Sequence, residues 1–110
     1  MNTVKDINDV MLQFAERFND GILPHIQNAK SQGELRRASR TAVAFIKQTE
    51  YRLKRMVFDK DLEVPLGMLT SYLSTSRKAF EQIAKGNPYK CAEHERQAKL
   101  IYAEYLRRYF

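Results

Sequence analysis

The segment Glu34–Phe58, ELRRASRTAVAFIKQTEYRLKRMVF, carries two chemistries on one periodicity. At 100° per residue, Leu35, Ala38, Ala42, Phe45, Ile46, Thr49, Leu53 and Met56 fall on one side, the spacing of a helix that faces a core. Arg36, Arg37, Arg40, Lys47, Lys54 and Arg55 fall on the opposite side, with Ala44 and Tyr51 between them. Seven Lys/Arg stand against two Glu, a net +5 in a chain whose formal charge is +6. The expectation is one continuous helix over 34–58, apolar inside and cationic outside.

Before this segment, Thr3 and Asp6 have the spacing of a helix cap, and Val4, Ile7, Met11, Phe14 and Phe18 recur at 3,4 intervals. Gly21 and Pro24 interrupt the pattern. Proline has no amide to give the Asp20 carbonyl, which predicts a break. A short piece carrying Ile22, Leu23 and Ile26 follows and is expected to end near Gly33. After the segment, Asp59 to Val64 reads as a loop, and Pro65 suits the first position of the next helix. Met68, Leu69, Tyr72, Leu73, Ser76, Phe80 and Ile83 form that helix's inner stripe. Gly86-Asn87-Pro88 ends it and opens the last, which carries Cys91, His94, Ala98, Ile101, Tyr102, Tyr105 and Tyr109 on one side. No stretch alternates with period two. Asp20-Gly21 is a hairpin dipeptide, but helical patterning flanks it. The fold expected is all-α: one domain, residues 1–110, an antiparallel four-helix bundle with the first helix broken near Gly21–Pro24.

Hydrophobic content of 44% with 29% charged residues is that of a folded chain, and 110 residues support a single core. Cys91 is the only cysteine, so no internal disulfide forms, and a reducing compartment suits it. No apolar run approaches 18 residues, and the N-terminus lacks a signal-peptide pattern. The expectation is a cytoplasmic protein without a membrane span. The positive charge selects acidic partners without choosing among them.

Chemistry is sparse. Cys91 and His94 stand three apart, but a zinc site needs three or four ligands, so they read as a core and a boundary residue. Ser71, Ser74, Thr75 and Ser76 lack the strand–turn–helix context of a nucleophile. Four scattered glycines make no phosphate-cradling loop. Neither an enzyme nor a cofactor is expected. Two binding surfaces remain. One is the cationic face of Arg36, Arg37, Arg40, Lys47, Lys54 and Arg55 with Tyr51, which can track a nucleic-acid backbone. The other is the C-terminal group Tyr105, Arg107, Arg108, Tyr109 and Phe110, residue types enriched where proteins dock or self-associate. A protein partner is the leading expectation and nucleic acid the alternative, with a homo-oligomer through the C-terminal aromatics also in view.

The stretch Leu62-Glu63-Val64-Pro65-Leu66-Gly67-Met68-Leu69-Thr70-Ser71-Tyr72-Leu73, following Tyr51-Arg52-Leu53-Lys54-Arg55, resembles the immunity proteins of class IIa (pediocin-like) bacteriocins. The resemblance covers about a fifth of the chain. It implies a small, basic, cytoplasmic four-helix bundle that protects its producer from a pore-forming peptide by acting on the receptor–peptide complex. It also implies that specificity lies in the C-terminal region, here residues 89–110. The capped helix after Gly86-Asn87-Pro88 and the abundance of arginine depart from the family's pattern.

Overall fold

In the computed structural model, which describes residues 1–110, five α-helices and one 3-10 turn make up the chain, without strands. Helix α1 (Val4–Gly21) starts where Asp6 Oδ2 accepts from the Thr3 amide at 2.7 Å and from its hydroxyl at 3.2 Å. It stops at Gly21, and α2 (Leu23–Gln27) resumes after a bend at Ile22. The proline therefore breaks the helix where the sequence predicts. The short piece ends at Gln27 rather than near Gly33, because a cap intervenes. The Ser31 hydroxyl accepts from the Glu34 amide at 3.1 Å, and Glu34 Oε2 accepts from the Lys30 amide at 2.7 Å. These bonds satisfy amides that a helix start leaves open, and they place Gly33 inside the first turn of α3 (Gln32–Lys54).

The C-terminal limit of α3 is also a correction: the helix ends at Lys54, not at Phe58. The chain beyond it pairs with the N-terminus instead. Both the backbone amide and the side-chain amide of Asn2 donate to the Val57 carbonyl, at 2.8 and 3.1 Å. A 3-10 turn over Lys60–Leu62 leads into α4 (Glu63–Ala84), so Pro65 is its third residue rather than its first. The position is still in the first turn, where no amide is needed. At the other end the Gly86 amide donates to Ile83 O at 3.0 Å and the Asn87 amide to Gln82 O at 2.8 Å. Gly86 has φ +86°, the left-handed value this paired closure requires. Helix α5 (Pro88–Tyr109) follows at once.

Cross-helix pairs fix an up-down order. Phe14 of α1 stacks on Phe45 of α3 with centroids 5.4 Å apart, and Gln13 meets Arg52. Tyr72 of α4 stacks on Tyr102 of α5 at 4.6 Å. The core draws on all four long helices: Ile7, Val10, Met11 and Phe14; Ile46 and Leu53; Leu66, Leu69 and Leu73; and Tyr105. Tyr105 is fully buried, and its hydroxyl donates to Asn8 Oδ1. In the inner stripe of α3, Ala42, Ile46, Thr49 and Leu53 are buried, while Leu35, Ala38, Phe45 and Met56 are half-buried. No helix is long and apolar enough to cross a membrane.

Candidate polyanion-binding face

The wall on α3 is built by exclusion. Its apolar stripe turns inward to bury Ile46 and Leu53, and a rigid helix then has to present the opposite residues outward. Arg36, Arg37, Arg40, Lys47, Tyr51, Lys54 and Arg55 are all exposed. None of the six cations enters an ion pair.

The acids of α3 are occupied elsewhere. Glu34 serves the cap. Glu50 lies at the edge of the stripe, buried against α4, where Arg77 Nε meets its Oε1 at 2.8 Å. The same guanidinium reaches Glu81 Oε1 at 2.8 Å through Nη1. The hydrogen bond to Glu50 is the main reason that Arg77 holds its proton more tightly than usual. This triad removes the one acid that periodicity alone assigns to the middle of the basic helix. The wall is thus more purely cationic than its sequence.

Two features widen it. A shallow groove of about 480 Å³ runs between α3 and α4, lined by Arg40, Val43, Ala44 and Lys47 on one side and by Glu81, Ala84 and Lys85 on the other. Lys85 is absent from the sequence reading. The signal for it was the Gly86 turn, since an antiparallel return sets the end of α4 beside the first half of α3. The Arg36 guanidinium also lies against that turn: a Cβ on Gly86 would come within 2.9 Å of Nη2. That places a cation at the carbonyl end of α4, where the helix dipole favours one. Within the wall, the Arg55 guanidinium covers the Tyr51 ring, 5.4 Å from its centroid.

The C-terminal group is dispersed. Tyr105 belongs to the core and presents no ring to a partner, which corrects its placement in a docking surface. Its burial, with Tyr102 and Tyr109 nearby, pushes the phenol up to about 12. Tyr109 is half-buried against Tyr105 at 5.3 Å, and its carbonyl accepts from Asn8 Nδ2 at 3.3 Å. Arg107 and Arg108 both turn to Glu104, at 2.5 and 2.8 Å. Arg107 foremost holds that carboxyl below its ordinary range. Arg107 and Arg108 remain exposed, and Phe110, 71% exposed, stands outside, as does Leu100 at 65%.

Elsewhere, an apolar cleft of about 320 Å³ opens between the first helices and the α4–α5 pair, with Phe18, Phe80, Ile83 and Cys91 in its lining. Burial, with Glu95 adding to it, raises the Cys91 thiol. Periodicity places these residues inside but does not show that they leave a space. No group of three or more His, Cys, Asp or Glu side chains is placed to hold a metal ion.

No protein-family model, curated protein or solved structure matches the chain. The functional reading therefore rests on the side chains themselves.

Proposed function

We propose that this protein is a non-enzymatic binding module that holds a nucleic-acid backbone through the outer face of α3. The observation that carries the reading is the state of the wall. Six exposed cations, five on α3 and Arg55 at its C-cap, lie without ion pairs, while Glu50 and Glu81 are both taken up by Arg77. Exposed Lys and Arg that lack carboxylate partners are available to phosphates, and their binding is driven by released counterions. Fluorescence anisotropy with a labelled oligonucleotide at low salt tests this. The triple variant Arg36→Glu, Arg40→Glu, Lys47→Glu should lose at least a hundredfold in affinity with an unchanged helical circular-dichroism spectrum. Affinity equal to wild type rejects the reading.

A second reading is protein docking through α5, of the kind the bacteriocin-immunity resemblance implies, or self-association through the same end. The exposure of Leu100 and Phe110 on α5 favours it. Truncating residues 105–110 cannot test it, because Tyr105 is core. The double variant Leu100→Ser, Phe110→Ser leaves the core whole. Under this reading it loses immunity or self-association, whereas the charge reversals on α3 do not.

A further inference from the structure

Duplex and single-stranded backbones make different demands on a cationic surface, and three features of the wall separate them. The first is length and count. From Arg36 to Lys54 the helix advances about 27 Å, at roughly 1.5 Å per residue, and Arg55 caps its end. A duplex offers about eight phosphates on each strand over that distance, one per roughly 3.4 Å. Six cations of α3 and Lys85 are available to meet them.

The second feature is spacing. Arg40, Lys47 and Lys54 recur every seventh residue on one line of the helix, about 10.5 Å apart at that rise. The interval skips neighbouring phosphates of one strand, meeting only about every third at roughly 3.4 Å each, and is comparable with a groove about 12 Å wide. Charges so spaced can rest on opposite strands. The third is stacking. Single-strand binders offer open aromatic faces to successive bases. Tyr51 is the only aromatic on this wall, one ring where successive bases need several; Arg55 lies over one of its faces, and the residue is 61% exposed.

We infer that the partner is a double-stranded nucleic acid gripped by the phosphates of both strands without reading its bases. One strand follows the cations of α3, and the other meets Lys85 across the groove that Arg40 and Lys47 border. This inference rests on the backbone-binding reading and adds to it the strandedness and the role of Lys85. Val43, Ala44 and Ala84 also line the groove, and Glu81, the one acid in it, is paired with Arg77.

The test is competition against a labelled 20-base-pair duplex by unlabelled duplexes of unrelated sequence and by oligo-dT of equal length. The duplexes should compete equally well with one another and at least tenfold better than oligo-dT. The log–log salt slope should fall between about −4.5 and −6.3, as expected when five to seven phosphates are neutralised at about −0.9 each. Lys85→Gln should weaken duplex binding several-fold and Lys85→Glu tenfold or more, both with unchanged circular dichroism. Oligo-dT competing as well as duplex, or Lys85→Glu binding duplex like wild type, overturns the inference while leaving backbone binding in place. Wild-type protein that binds neither probe at low salt overturns both.

Discussion

Tyr105 shows how much one side chain does in a bundle of this size. Its ring fills the centre of the core, and its hydroxyl meets a side-chain amide oxygen, that of Asn8, 97 residues away in sequence. Tyr105→Phe keeps the ring but leaves Asn8 short of a donor, so thermal unfolding should show a loss of about 1–2 kcal/mol. Tyr105→Ala should cost about 3–5 kcal/mol, the usual range for emptying an aromatic site. Alkaline pH acts on the same residue. Its folded pKa, about 12, lies above the ordinary 10.0, so the stability it contributes is whole below pH 10 and declines as pH rises towards 12. Spectrophotometric titration should show Tyr72, Tyr102 and Tyr105 ionising above the ordinary phenol value of 10.0, each raised chiefly by burial. Ser39 acts in the other direction. Its hydroxyl is buried without a partner. Ser39→Ala removes that orphan and improves helix propensity, so the melting temperature should rise, by the equivalent of about 0.5–1.5 kcal/mol. A melting temperature that falls would show that the hydroxyl has a partner in solution.

At the scale of elements, the existence and order of the helices were legible because periodicity and punctuation agreed. The seams of α1, α3, α4 and α5 repeat at helical spacing, and Pro24 and Gly86-Asn87-Pro88 mark real breaks. The ends were less legible, since caps are settled by hydrogen bonds between particular atoms. Ser31 and Glu34 moved the start of α3 forward, and Asn2 bonding to Val57 cut its end short. The wall was readable from the one helix that carries it. Its extension by Lys85 and its release from Glu50 were not, because both depend on the register between α3 and α4. The Glu50–Arg77–Glu81 triad fixes that register. Arg77→Met strands the Glu50 carboxylate in a buried position and should cost about 2–3 kcal/mol, less than a wholly buried pair because Arg77 retains some exposure. Pairing it with Glu50→Met should restore most of the loss in chemical denaturation, and additivity of the two losses would show no coupling. Gly86→Ala forces a side chain into the left-handed region and should lower stability by about 1–2 kcal/mol.

Across the whole molecule, charge is sorted rather than spread. The acids of α5 are engaged with their own helix's cations: Glu93 with Arg96, Glu95 with Lys99, and Glu104 with Arg107 and Arg108. Those of the α3–α4 contact are engaged with Arg77. Lys and Arg without ion pairs also occur on other elements, among them Lys5, Arg17, Lys60 and Lys78, but the densest run of them follows the outward face of α3 on a body measuring 45 × 23 × 20 Å. A one-sided cationic surface steers an extended polyanion to a single orientation. At the C-terminal end Tyr105 belongs to the core and Tyr109 is half-buried, while Leu106, Arg107, Arg108 and Phe110 are exposed. The most direct measurement is a two-dimensional amide NMR titration of the labelled protein with a short duplex. Shift changes should cluster at Arg36, Arg37, Arg40, Lys47, Tyr51, Lys54, Arg55 and Lys85, and disappear when salt is raised. Changes confined to α5, or none at all at low salt, would contradict it.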